Sequence, residues 1–330
     1  MDWFARLTGF TECGYDETRR RLEIVDGQLR SRVNDRRFGI GDLELVSLGA
    51  LRARVARTNA PSGRATFREI QGNARQLHTD PEFAGALFQV ASQFNLLEMT
   101  GPDVTPEDGV TRYQSDRTQG PACAIAAGAA TIYRNYFVQV DGQSGQTRDR
   151  QLDGLADMGA ALSKALGCSR DTLWRMQNGY ALCSAAGLSA ITDYLDQATA
   201  AEIDSLRASL RVGAHRDVEV TDIDGPARPV LSQIFCAALP VAYSNVPCPK
   251  WTSFARLVLE AAYEATLLEG MLNVARGKSG IVLLTRVGGS AFGNSPDWID
   301  AAIDRALKIA DAYPLDVRLV SIPGRSPGQY

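Results

Sequence analysis

The chain has 330 residues, 45% of them hydrophobic and 22% charged, which is enough apolar material to close a globular core and excludes extended disorder. Thirty-five Lys and Arg against 38 Asp and Glu leave a formal net charge of −3, so no basic excess draws the molecule onto duplex DNA or an anionic membrane. The longest nearly apolar run, CAIAAGAATI at 123–132, is about half of the roughly 20 residues a bilayer-spanning helix needs, and no membrane crossing is expected.

Residues 1–60 are mixed and arginine-rich, and they read as short strands around the turns Asp26-Gly27 and Asn34-Asp35. They are expected to form an N-terminal extension packed on a main α/β domain at 61–330. The six cysteines, Cys13, Cys123, Cys168, Cys183, Cys236 and Cys248, form no C-x-x-C pair, and no secretory apolar segment precedes them, which reads as a reduced, cytoplasmic protein.

In TFREIQGNARQL (66–77), Thr66 and Glu69 stand three apart in the pattern of a capping box, which predicts a helix beginning there. GALFQVASQFNLLEM (85–99) opens as a β-like apolar run and ends in polar residues, as a buried strand delivering Ser92, Gln93 and Asn95 at its tip. PACAIAAGAATIYRNYF (121–137) predicts a helix with Pro121 at its first position. Helices follow at DGLADMGAALSKAL and around ATAAEIDSLRASL, separated by NGYAL and a polar turn, then strands at 217–223 and 230–244. The strongest helix is 252–276, with Gly277 placed to end it in a left-handed conformation. A strand at 280–284, a helix at 296–311 and a strand at 316–322 close the chain. Such alternation indicates a parallel or mixed sheet covered on both faces.

The chemistry is expected in three places. An apolar strand runs through TRVGGSAFGN into a helix that Ser295 can cap and Pro296 can open, and Gly288, Gly289 and Gly293 let backbone N–H groups approach a ligand. With the positive end of the helix behind it, this is a nest suited to phosphate or diphosphate, although a simple chain-reversing turn would read the same way. Gly288 and Gly293 even match the G-x-x-x-x-G of a P-loop, but Asn294 replaces the lysine that NTP hydrolysis requires. The second place is TQGPACA, again a loop entering a helix, preceded by Asp116 and Gln119; it and the 288–294 loop are expected to hold one ligand from two sides, with Gly120 and Gly289 both sensitive to substitution. Third, Gln93, Asn95 and Glu98 cluster beyond a hydrophobic strand, where Glu98 is either a solvated carboxylate or, if burial raises its pKa, a general acid or base. Glu260 and Glu264 either face this crevice or form a solvated stripe. The two histidines, His78 and His215, carry no metal-ligand spacing and are read as structural; neither metal nor cofactor is expected.

Residues 283–298 resemble the second ligand loop of macrodomains, most of all the G-C-G-A-F-G-N run of the poly(ADP-ribose) glycohydrolase-like branch. The resemblance implies a three-layer α/β/α fold with a mixed central sheet that binds ADP-ribose. It also implies that Gly288, Gly289, Ala291, Phe292, Gly293 and Asn294, with Ser290 among them, wrap the diphosphate and distal ribose, Phe292 packing on the ribose. The signature of three glycines followed by Gln-Glu-Glu is missing, as is the Asn-rich first loop; VASQFNLLEM and YQSDRTQGPACA stand in that region, so no catalytic glutamate transfers by motif. Glu98 and Asp116 are the candidate catalytic carboxylates, and Tyr113, Tyr133 and Tyr180 are further candidates for stacking. Three functions stand open: an ADP-ribosyl hydrolase, a non-catalytic ADP-ribose reader, and a scaffold whose glycine loops bind nothing.

Overall fold

The computed structural model describes residues 1–58, 61–223, 225 and 227–322. Seven strands form the central sheet: β1 (Asp42–Ser47), β2 (Thr66–Gln71), β3 (Leu87–Ala91), β4 (Arg211–Glu219), β5 (Val230–Cys236), β6 (Ile281–Leu284) and β7 (Asp316–Ser321). Their order is β1-β4-β5-β3-β6-β7-β2. The β1/β4 and β4/β5 pairs are antiparallel, and every pair from β5 to β2 is parallel.

Side chains alternate across the pleat, and both faces are apolar where the sheet is covered. Leu87 belongs to the main core, in which Ile234, Val282 and Val317 pack with the long helix Thr252–Ala275, whereas Phe88 and Leu283 pack on the other side with Ala127 and Ala130. The result is the expected three-layer α/β/α arrangement with a mixed sheet.

The helix predicted from Thr66 and Glu69 is instead edge strand β2, paired with β7 from Thr66↔Asp316 to Gln71↔Ser321. Five of its six residues are exposed, so it carries neither helical nor strand periodicity, and tertiary pairing decided its conformation. The helix that does follow is Ala74–Thr79, capped by Asn73 Oδ1, which accepts from the amides of Arg75 and Gln76. The helix expected at 121–137 is two helices, Gln119–Ala126 and Gly128–Tyr136, broken at Ala127. NGYAL is part of a β-hairpin, Trp174–Gln177 against Tyr180–Cys183, and a helix not read from the sequence, Ala185–Gln197, follows it. Gly277, at φ +76°, ends the long helix as expected.

The N-terminal segment is a cover over those two helices. Trp3, Phe4, Leu7, Phe10 and Phe38 pack against Ile125, Ala129, Ile132 and Tyr136, and Glu12 accepts from the amides of Val110 and Thr111 and from the Tyr136 hydroxyl. The boundary expected at residue 60 lies outside the described residues; before it, β1 is an edge of the central sheet, and Leu48 and Leu51 of the helix after it join the main core.

Candidate functional site

A cavity of about 500 Å³ lies beyond the carboxyl ends of the parallel strands, lined in part by Ala91, Thr285 and Ser321, which is where open α/β sheets hold ligands. Both loops singled out in the sequence reach it: Asp116, Gln119 and Gly120 from one side, Gly288, Ser290, Ala291 and Phe292 from another. Gln93 and Glu98 complete the wall. Asn95, Gly289, Gly293 and Asn294 do not line the cavity.

In the glycine loop, Gly288 and Gly293 have φ of +77° and +70°, and a Cβ on Gly288 would stand 2.4 Å from that of Ala238. Some amides are used internally: Gly289 donates to Arg286 O, Gly293 to Ser290 O, Asn294 to Gly288 O, and Val287 to the Tyr263 hydroxyl. The amides of Gly288, Ser290, Ala291 and Phe292 have no hydrogen-bond partner among the described residues, and all four of these residues line the cavity. Asn294 is the loop's internal brace, its Nδ2 donating to Leu239 O and Gly288 O.

On the opposite side, Asp116 Oδ1 accepts from the amide and hydroxyl of Thr118, and the other carboxylate oxygen has no hydrogen-bond partner among the described residues. The Gln119 side chain is turned to the sheet, accepting from Ala91 N–H and donating to Gln89 O, so it extends the pairing of β3 rather than offering an amide to a ligand. Gly120 is packed so closely that a Cβ would meet Ala91 O at 2.1 Å.

The amide groups of loop 93–99 are likewise occupied. Gln93 accepts from Met99 N–H and donates to Met99 O, and Asn95 accepts from Leu97 N–H while donating to Gln151. These two are braces of the loop, not the hydroxyl-reading amides expected. Glu98 is wholly buried: Oε1 accepts from Arg134 at 3.1 Å, Oε2 has no partner among the described residues, and Gly120 packs against its stem. Burial pushes its carboxyl up to about 7, and the Arg134 guanidinium holds it from rising further.

Three aromatic rings meet at the cavity. Tyr180, Tyr243 and Phe292 lie with centroids 5.1 to 5.5 Å apart. Tyr180 and Phe292 were legible as candidates; Tyr243, on a short 3-10 turn at Val241–Tyr243, was not. Tyr113 is buried with its hydroxyl accepting from Glu98 N–H, and Tyr133 packs near His215, so neither ring lines the cavity. Arg117 and Arg286, also unforeseen, bring cations to the cavity, and Arg286 is bound to Asp300.

The remaining candidates are structural. His78 bonds Ala74 O and Gln233, and burial lowers its pKa to about 4; His215 is held neutral first by burial and then by Arg134. Glu264 pairs with Arg52 and Arg305, and Glu260 with Arg207, so the supposed stripe on the long helix is a set of ion pairs to neighbouring helices. No cluster of His, Cys, Asp and Glu suited to a metal ion occurs among the described residues, nor a helix long and apolar enough to cross a membrane.

No protein-family model and no curated protein matches this chain. Among solved structures it is similar to poly(ADP-ribose) glycohydrolase from Deinococcus radiodurans in complex with ADP-ribose, at 11% identity and a TM-score of 0.46 over 86% of this chain and 89% of that one. It is also similar to poly(ADP-ribose) glycohydrolase from Thermomonospora curvata bound to the inhibitor ADP-HPD, at 14% identity and a TM-score of 0.42 over 92% and 89% of the two chains.

Proposed function

We propose that the chain binds ADP-ribose or an ADP-ribosyl group, with the diphosphate on loop 285–294 and the ribose beside Phe292. The observation that carries this reading is the set of four open amides, at Gly288, Ser290, Ala291 and Phe292, on one wall of the cavity. Backbone donors fixed in place bind an anion without reorganising, and a cavity of about 500 Å³ has the size of a small-molecule site. Tyr180, Tyr243 and Phe292 offer aromatic surface to a ribose or base, Arg117 and Arg286 supply positive charge, and the open oxygen of Asp116 can accept from a hydroxyl or an exocyclic amine. Calorimetric titration with ADP-ribose beside AMP and NAD tests it: tight, saturable binding of ADP-ribose is expected, and three equally weak or absent heats reject it.

Hydrolysis of an ADP-ribosyl linkage is the second reading, favoured by Glu98. Its carboxyl, lifted to about 7, keeps a proton near neutrality, and Oε2 is uncommitted, as a general acid requires. Its side chain has no exposed surface, so this role requires that a bound ligand uncover Oε2. Turnover of an ADP-ribosylated substrate that is lost in Glu98→Gln or Asp116→Asn supports the enzyme; binding without turnover in the unaltered chain leaves a reader.

A further inference from the structure

Beneath loop 93–99 lies a fully buried guanidinium whose donors are spent on that loop and its neighbours. Arg134 Nε donates to Leu96 O at 3.0 Å, and Nη2 donates both to Glu98 Oε1 at 3.1 Å and to Thr131 Oγ1 at 3.1 Å. Nη1 meets His215 Nδ1 at 3.4 Å, and the group stacks on the Phe235 ring with its carbon 3.9 Å from the centroid. Leu96 has φ +63°, a left-handed conformation that non-glycine residues avoid and that persists only when the surroundings over-determine it. Arg134 therefore grips the loop at its strained residue and again two residues later, at the carboxylate.

A buried ion pair is poor value for stability alone, since apolar residues of similar volume usually serve as well. A planar fork reaching two acceptors in fixed directions does something that apolar packing cannot. We propose that Arg134 is a positioning residue for Glu98: it holds loop 93–99 in its strained form, commits Oε1, and leaves Oε2 as the one carboxylate oxygen available to a ligand or water. The proposal rests on the reading of this cavity as a ligand site. The groups facing the carboxyl are Arg134 from helix Gly128–Tyr136, the Tyr113 hydroxyl from the turn Thr111–Ser115 and Cys123 from helix Gln119–Ala126, with His215 of β4 reaching it through Arg134. Arg134 is the cation among them, so its removal takes away the influence opposing burial.

The test compares the full chain with Arg134→Lys, which keeps the charge and loses the fork, and with Arg134→Gln, which loses both. Amide exchange at Leu97, Glu98 and Met99 is expected to rise at least about tenfold in both variants while the core of helix Thr252–Ala275 stays protected. The carbon-13 titration midpoint of the Glu98 carboxyl is expected to rise in Arg134→Gln and to stay near its original place in Arg134→Lys. Should Arg134→Gln fail to fold, the double variant Arg134→Gln, Glu98→Gln removes both buried charges and supplies the exchange measurement, with the titration read on Arg134→Lys alone. Unchanged exchange in the loop, a rise shared evenly by the whole molecule, or a midpoint that moves with Lys as much as with Gln overturns the proposal. Neither readout uses a ligand, so absence of ADP-ribose binding by the unaltered chain would remove the functional reading while leaving the role of Arg134 to these measurements.

Discussion

In loop 285–294 the amides of Gly288, Ser290, Ala291 and Phe292 are open at the cavity, whereas in loop 93–99 nearly every donor already has a partner. The amides of Gln93, Phe94 and Leu96 donate to carbonyls, that of Leu97 to Asn95, that of Glu98 to Tyr113 and that of Met99 to Gln93. Both loops leave the sheet at neighbouring strands, β6 and β3, and both contain residues with positive φ. They differ in what fixes them. Glycines shape the first and a few bonds at its ends, from Asn294 and Tyr263, hold it, so donors are left for a guest. Side-chain amides shape the second by standing in for a missing strand, and this consumes the donors. A polar cluster at a strand tip is thus no sign of ligand contact until its own backbone has been satisfied.

The contrast can be broken or sharpened by substitution. The largest effect is expected from Glu98→Gln on the pH dependence of stability. A carboxyl whose folded pKa lies near 7 and whose unfolded value is near 4.5 stabilises the fold below the lower value and loses that contribution as pH rises through the upper one. The loss amounts to about 3 kcal/mol between pH 4.5 and 7.5, and Glu98→Gln should abolish it. His78, depressed to about 4, and His215, also depressed, act in the opposite sense below pH 6.5, so the quantity to measure is the difference between the two urea-melt series. A difference independent of pH would contradict the assignment.

Gln93→Ala should cost about 2 kcal/mol, because it strands the buried amide of Met99, whose carbonyl keeps the Tyr180 hydroxyl, while ADP-ribose affinity falls only as far as the loop loosens. Denaturation and calorimetry on one preparation separate these. Gly288→Ala should reverse the balance, weakening ADP-ribose at least about tenfold, or roughly 1.4 kcal/mol, because a methyl at positive φ collides with Ala238 and shifts the open amides. Equal affinity in this variant would detach the loop from the ligand. Gly289→Ala should do least, under about 0.5 kcal/mol on either measure: its φ is not positive and the nearest obstacle, at 3.1 Å, is the end of the Ile299 side chain. This departs from the sensitivity the sequence suggested for Gly289, and a large effect there would mean that the loop moves on binding.

What could be read beforehand follows the same division. Gly288, with Ser295 and Pro296 opening a helix behind it, announced the turn at positive φ because glycine at such a place has a local cause. The pairing of Glu98 with Arg134 had no local cause: the partners come from a loop and a helix that meet only in the folded molecule. Tyr243 gave no signal either, since a tyrosine on a 3-10 turn belongs to no periodic pattern. Thr66 and Glu69 gave a misleading one, because two residues suited to a capping box also suit an exposed edge strand. Within the central sheet, buried runs such as those of β5 and β6 were legible by composition, and β2 was legible by none.

The place of β1 bears on how the molecule is made. It is synthesised before its partner β4, with Gln93, Glu98, Asp116 and Tyr180 of the cavity wall between them, since Ser47 pairs with Arg211. The nascent chain must therefore carry an unmatched edge until β4 is made, and folding driven by so distant a pairing is slow. A ribosome stalled before β4 would display that edge to chaperones or to other nascent chains.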